Sequence, residues 1–346
     1  MPRSSTIKSD LLLLLASLIW GLAFVAQRMG MEHVGPFLFN GIRFALGALT
    51  LLAVIKFKVF FENRIVGRED YKKGRGEEGK RGKGESSGLL TADRRPPTND
   101  LRQPATGSRQ PAPGNRFKWG GLLLGLILFA GASLQQVGIV YTTAGNAGFI
   151  TGFYVVLVPL LGLFLGQRPG PWLWIGAVLS LAGLYFLSVT DEMKISYGDL
   201  LVLACSVFWA IHVLYVGYLT RHASVTRLAM TQYIICAFLS FIVAFIFESN
   251  TFMGVMDAAV PILYGGILSV GVAYTLQIVG QKKAPPSHAA IILSLEAVFA
   301  AVGGALILNE GFTSRKWIGC ILMLMGMLLA QRTAVSGQQS AIGGQR

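Results

Sequence analysis

Charge is what this chain has least of. Only 14% of its 346 residues are Asp, Glu, Lys or Arg, 53% are hydrophobic, and the mean hydropathy is +0.57. A water-exposed domain carries about 25% charged residues, so this composition excludes a soluble globule of such length. Cysteine is nearly missing too. Cys205, Cys236 and Cys320 are odd in number, lie inside apolar runs and form no CxxC pair, which argues against a disulfide framework or a zinc site. They read as small residues at helix contacts. His33, His212, His222 and His288 stand far apart, so no clustered nucleophile–base set for an intramembrane enzyme is evident.

What remains is apolar sequence in long runs. Ten recur, at roughly 10–29, 36–55, 118–140, 144–166, 171–189, 199–219, 226–247, 258–280, 287–308 and 316–332. Each approaches the ~20 residues that cross about 30 Å of hydrocarbon at 1.5 Å per residue. Lipid offers no hydrogen-bond partners, so each run must be helical. The expected fold is therefore an all-α polytopic membrane protein with ten transmembrane helices. The first run is longer than a signal-peptide core and has no small-x-small exit, so it reads as retained.

The pattern occurs twice. Asp10-x9-Trp20 returns as Asp199-x9-Trp209, an offset of 189, and Leu134-Gln135-x-x-Gly138 returns as Leu276-Gln277-x-x-Gly280, an offset of 142. A period this long indicates duplication of a bundle rather than a solenoid. Five spans per half is an odd number, so the second half must lie inverted relative to the first, the arrangement that suits alternating access. Residues 1–190 form the first repeat, 191–333 the second and 334–346 a flexible tail.

Basic residues set the orientation. With the N-terminus in the cytoplasm, inside segments hold 25 of the 30 Lys and Arg, outside ends hold Arg28, Lys194, Arg315 and Lys316, and Arg43 lies within a span. That bias places both termini in the cytoplasm, in a plasma (inner) membrane.

The two offsets differ by 47 residues (189 minus 142), which lie between the second and third spans. Residues 62–117 are rich in Gly, Pro, Ser, Arg and Lys and cannot bury enough apolar surface to order themselves, so they read as a disordered cytoplasmic insertion. Gly74-x-Gly76-x-x-Gly79 and Gly79-Lys80 imitate nucleotide loops. No strand precedes them, Glu77 and Glu78 would repel phosphate, and Arg81 replaces the magnesium-binding hydroxyl. No cofactor, metal or nucleic-acid partner is expected. The insertion's basic surplus reads as a solvated tether, or as a contact for anionic lipid headgroups.

With ten spans, inverted halves and the Asp-x9-Trp echo in hand, the chain resembles the EamA-type transporters of the drug/metabolite transporter superfamily. The carrying residues are Leu18-Ile-Trp20-Gly21 with Phe24, Asn40-x-x-Arg43, Gln135, Tyr141-Thr-Thr-Ala144-Gly-Asn146-Ala-Gly-Phe149, Pro159 and Glu296-Ala-Val-Phe299. The likeness spans everything except about 62–117 and the tail after Arg332. It implies export or exchange of small metabolites, amino acids or toxic compounds. Ala297 replaces a proline that often follows the ninth-span glutamate, which leaves open whether the backbone breaks there.

Nine residues are candidates for a substrate site: Trp20, Arg43, Gln135, Asn146, Tyr154, Trp209, His212, Gln277 and Glu296. An acid as deep as Glu296 is expensive at about 2.5–3.5 kcal/mol on insertion scales, so it faces protein or water, either as an ion or substrate anchor or as a cap on an interrupted helix. Arg43 either snorkels, pairs with Glu296 or meets an anionic substrate. Trp20 and Trp209 are too deep for the interfacial belt and either wall a cavity or pack the halves together. His212 shares Trp209's helix face and reads as satisfied by a neighbour. Gln135, Gln136, Asn146 and Gln277 either bridge helices or orient substrate. Tyr154 stands where Glu296 stands in the other half (296 minus 142), so the pocket would be lopsided. The stripes Ala144/Gly148/Gly152 and Gly265/Ser269/Ala273 predict close helix contact.

The leading functional expectation is a secondary transporter for small organic metabolites, passive or coupled to protons or ions, with the bilayer and a small molecule as its partners. A channel is the alternative, although no filter motif or ring of like charge is present.

Overall fold

A computed structural model describes residues 3–57, 115–167, 169–188, 196–309, 311 and 313–343. The insertion expected at 62–117, with its two nucleotide-loop look-alikes, lies almost wholly outside them. Met1–Leu52 with Asn115–Arg346 form one compact unit, and Ala53–Gly114 form the other.

Every regular element among the described residues is helical: α1 Arg3–Gly30, α2 Pro36–Phe57, α3 Asn115–Val140, α4 Ala144–Thr151, α5 Tyr154–Phe164, α6 Pro171–Ser188 and α7 Tyr197–Leu219. There follow α8 Val225–Phe247, α9 Phe252–Asp257, α10 Ala259–Leu263, a π-helix at Tyr264–Tyr274, α11 Thr275–Gln281, α12 Pro286–Leu293, α13 Glu296–Ile307 and α14 Ser314–Gly343. Among the described residues, eight helical stretches are long and apolar enough to cross a bilayer, and Pro171–Gly183 and Trp317–Leu329 are shorter apolar helices. Large apolar side chains face outward, as Phe245 does at 95% exposure, so hydrocarbon is the matching solvent.

Local chemistry sets the helix starts. Ser196 and Asp199 form a capping box, each side chain accepting the other's backbone N–H at 3.1 and 2.9 Å, and Thr143 caps α4 through Asn146 N. The start of α2 has no local cap. Glu248, from beyond α8, accepts the N–H groups of Phe37 and Leu38 at 2.7 and 2.9 Å, and Asn250 accepts that of Gly35. A carboxylate there also complements the positive helix end.

Two expectations need correction. The last helix continues to Gly343 instead of giving way to a tail at 334, because Thr333–Gly343 contains no proline and several helix-tolerant Ala and Gln residues. Three spans expected as single helices are also broken. The 144–166 run parts at Gly152–Phe153 and the 287–308 run at Ser294–Leu295, while the 258–280 run passes through the π-helix. The first two breaks differ in position by 142 residues at both edges: Thr151 against Leu293, and Tyr154 against Glu296. The chain therefore breaks beside Glu296 although Ala297 stands in the proline's place.

Contacts cross between the halves. α1 packs on α11, α12 and α13, and α7 packs on α3, α4 and α5. The glycine echo shows how closely these match. A Cβ on Gly138 would meet Val202 at 2.6 Å and the Gly198 carbonyl at 3.0 Å, and one on Gly280 would meet Leu13 at 2.8 Å and the Ser9 carbonyl at 3.3 Å. Leu13 and Ser9 are the residues 189 before Val202 and Gly198. Of the predicted stripes, Gly148 is tight, since its Cβ would lie 2.8 Å from that of Ala300. All three cysteines are buried, consistent with small packing residues.

Candidate functional site

The broken helices bring their new ends together. Tyr154 opens α5 and Glu296 opens α13, each the eleventh residue of its span, and the Tyr154 hydroxyl is hydrogen-bonded to the Glu296 carboxyl. Both side chains are buried, at 3% and 4% exposure. They line a small buried cavity of about 40 Å³.

Seven of the nine candidates converge on that cavity: Trp20, Arg43, Gln135, Tyr154, Trp209, Gln277 and Glu296. The walls also hold Phe24, Gln27, Thr151, Val213, Ser269, Tyr274 and Leu293. Ten of these fourteen residues form five pairs related by the two sequence offsets. Trp20/Trp209 and Phe24/Val213 differ by 189, and Gln135/Gln277, Thr151/Leu293 and Tyr154/Glu296 differ by 142. Equivalent positions of the two halves face one chamber.

The two tryptophans are held differently. Trp209 donates its indole N–H to Gln135 Oε1 at 2.8 Å, and Gln135 donates in turn to Gln27 Oε1 at 3.1 Å, which fixes the amide orientation. Trp20 donates to the Ser269 carbonyl at 3.1 Å, a backbone group within the π-helix. π-helical turns recur at functional sites, and here one supplies an acceptor to a neighbouring helix. Tyr274 ends the same π-helix and lies 4.7 Å from Trp20 and 6.1 Å from Trp209 by ring centroids, joining the two indoles in one aromatic wall. These are the separations at which aromatic pairs attract.

Arg43 does not snorkel. It is 2% exposed, with its guanidinium 5.7 Å from the Phe39 centroid and 5.0 Å from that of Phe44. Among the described residues it forms no ion pair with Glu296, and its Nε has no partner. Gln277 Oε1 is likewise buried and unpaired. The chamber thus presents a carboxyl held by Tyr154, together with a guanidinium and an amide whose hydrogen bonding is incomplete, in a setting where unmet polar groups are costly. That combination suits a ligand carrying both charge and apolar surface.

Two candidates lie elsewhere. His212 is fully buried beside Trp209; its Nε2 lies 2.9 Å from Gln232 Oε1, but its Nδ1 has no partner, so a neighbour satisfies one ring nitrogen only. Asn146 is half-buried at the start of α4 and lines no part of the chamber. Gln136 is buried with neither amide atom partnered, and we have no physical account of it. Gln27 and Tyr274 are the residues that sequence reasoning missed. For Gln27 the signal was available, since it lies seven residues after Trp20 and shares its helix face; Tyr274 sits at the end of the π-helix, where regular helix spacing does not apply.

Beyond the chamber, the halves are tied at both ends. Asp10 Oδ1 lies 2.9 Å from His288 Nε2, at the start of α12, and Ser9 donates to the Gly280 carbonyl. At the opposite end, Asp199 Oδ1 accepts from Thr142, just before α4, at 2.6 Å. Asp10 and Asp199 are the first residues of the 189-residue echo.

Comparison with known proteins shows the family. The model of the EamA-like transporter family matches residues 7–68, 104–189 and 196–331. An uncharacterized transporter of Archaeoglobus fulgidus is 28% identical over 93% of this chain and 85% of its own length. The uncharacterized transporter YoaV of Bacillus subtilis is 21% identical over 90% of this chain and 93% of its own. A solved crystal structure shares the fold, with a TM-score of 0.66 at 20% identity, over 95% of this chain and 97% of that one. The chain belongs to the EamA-like transporter family.

Proposed function

We propose that this multi-pass membrane protein is a secondary transporter that carries a small organic metabolite through the central chamber by alternating access. Its ten spans would form two inverted five-helix repeats, with both termini in the cytoplasm of the plasma membrane. The observation that carries this reading is the paired lining. Residues equivalent in the two halves meet around one buried cavity, and each half's fourth span is interrupted at the matching place. Interrupted helices at corresponding positions are a known pointer to the binding site of a transporter.

Support for inversion comes from the exchange of partners. α1 of the first half grips the broken span of the second, and α7 of the second grips the broken span of the first. Asp10 and Asp199 make these ties at opposite ends, so each half would close one side. A cavity of about 40 Å³ is far below the ~300–1,000 Å³ of a metabolite pocket, so this conformation is a closed one and substrate entry requires helices to part.

The Glu296 carboxyl would meet a cationic or donor group, Arg43 an anionic or acceptor group, and the Trp20–Tyr274–Trp209 wall an apolar body. A zwitterion or small amphipathic molecule fits. The test is uptake by reconstituted liposomes of a panel of labelled amino acids and amphiphilic compounds. At least one should accumulate with wild-type protein and fail with Glu296→Gln. Equal transport by both proteins would contradict the site, and a pH gradient without effect on rate would remove proton coupling.

A further inference from the structure

A second cavity, of about 1,050 Å³, opens on the outer surface between α5, α7 and α12. It is separate from the central chamber and has different chemistry. Its inner part is apolar, with Leu161, Ile211 and Leu214, and Phe164, the last residue of its span, is 88% exposed at the mouth, so the groove faces the surroundings of the bundle. Its other end is polar, with Tyr215 and Tyr218 on α7, Arg221 in the turn that follows, and Ser287 and His288 at the start of α12.

Length and level identify what would lie there. Ile211 to Leu219 is eight residue steps along α7, and with the turn to Arg221 the stretch covers about 15 Å at 1.5 Å per residue. That is half of a ~30 Å hydrocarbon core, the depth of one leaflet. Tyr215 and Tyr218 are stacked at 6.3 Å with a 13° interplanar angle, next to Arg221. An aromatic pair beside a basic residue marks the headgroup level.

The polar end has unused binding capacity. α12 begins without a side-chain cap, because Pro285 holds the N-cap position, and Pro286 after it has no N–H. Its positive end therefore lacks an acceptor of the usual kind. Ser287 Oγ and His288 Nδ1 are buried without partners, in residues only 4% and 2% exposed. The nearby acid, Asp10, engages the other ring nitrogen of His288. Arg221 makes no ion pair among the described residues, and Lys282 and Lys283 are exposed just before Pro285.

We propose that this groove binds one anionic phospholipid. Its phosphate would sit between Arg221 and the start of α12, and an acyl chain would run past Leu161 and along Ile211 towards the bilayer centre. The proposal rests on the groove alone and stands or falls independently of substrate transport. A soluble anion would meet Arg221 equally well but would leave the apolar length empty. Basic pockets between membrane helices are recognised sites for anionic headgroups.

The test uses full-length protein in detergent, exchanged against equimolar phosphatidylglycerol and phosphatidylcholine of the same chains and read by native mass spectrometry. Phosphatidylglycerol should be retained in one copy, in preference to phosphatidylcholine. Arg221→Gln should lower that preference about fivefold, one basic contact's worth near a membrane surface. Arg227→Gln, an exposed basic residue one turn into α8, should leave it unchanged, which separates the groove from general surface charge. Ile211→Trp, an exposed position that tolerates bulk, should displace the chain and lower retention of both lipids. Equal retention of the two lipids, equal effects of Arg221→Gln and Arg227→Gln, or displacement by glycerol phosphate would each overturn the proposal, the last by showing a soluble-anion site.

Discussion

The two broken spans share a backbone and differ in chemistry. Thr151-Gly152-Phe153-Tyr154 and Leu293-Ser294-Leu295-Glu296 interrupt their helices at matching residues, yet one offers a phenol and the other a carboxyl to the same chamber. The ends differ similarly: Asp199 meets a threonine hydroxyl, whereas Asp10 meets a histidine. Duplication can explain shared shape, because the same small residues set the same close approaches. It leaves side chains at equivalent places free to diverge, so one half carries the acid and the other the partner that holds it.

Substitutions can break this comparison, and Glu296→Gln should have the largest effect. It replaces the carboxyl facing Tyr154 and the ligand by an amide, and uptake of a transported compound should fall about tenfold or more, the ~1–3 kcal/mol of a buried polar group left without its partner. Tyr154→Glu combined with Glu296→Tyr sharpens the point. If the halves are interchangeable, the double variant should recover part of the loss, and no recovery would show that position as well as chemistry is fixed.

Next in size is Gly21→Val. A Cβ there would strike Phe299 Cβ and approach the Glu296 carbonyl at 2.6 Å, so α1 and α13 must separate. Overpacking of this kind typically costs about 1–3 kcal/mol, visible as a lower melting temperature in detergent. Thr50→Val, on α2, should change melting little, since its hydroxyl bonds only within its own helix, to the Leu46 carbonyl.

The tethers at the two ends should give smaller, opposed effects. Asp199→Ala removes both the α7 capping box and the Thr142 bond, and His288→Ala removes the tie to Asp10. Each should weaken one closure by about 1 kcal/mol, the usual value of a cap or a single hydrogen bond. A cysteine probe in the chamber should then label faster from the side whose tie was cut. Acceleration from the same side in both variants would contradict closures at opposite ends. Trp209→Phe is milder still, losing only the indole bond to Gln135, and should slow uptake a few-fold.

Most of the chamber was legible in the sequence because the echo ties positions that no local rule connects. Trp20 with Trp209 and Gln135 with Gln277 follow from counting alone. The break at Gly152–Phe153 was not legible, since the one proline of that span, Pro159, lies inside α5 and not at the break. The π-helix leaves no mark in hydropathy, so the Ser269 carbonyl and the approach of Tyr274 to both indoles were hidden. An aromatic residue in an apolar span looks like any other core residue until its neighbours are known. Arg43 was ambiguous for a physical reason: about 10 Å into a helix, a long cation can reach water or be enclosed, and only the packing of Phe39 and Phe44 decides.

The central claim is that one chamber, shared by equivalent residues, opens alternately to the two faces. The most direct test is Val213→Cys in a chain whose Cys205, Cys236 and Cys320 are replaced by alanine, labelled with a membrane-impermeant thiol reagent from either side of oriented vesicles. Labelling from both sides, slowed from both by a transported compound, is the predicted result. Labelling from one side only, whatever gradient or substrate is imposed, would contradict it.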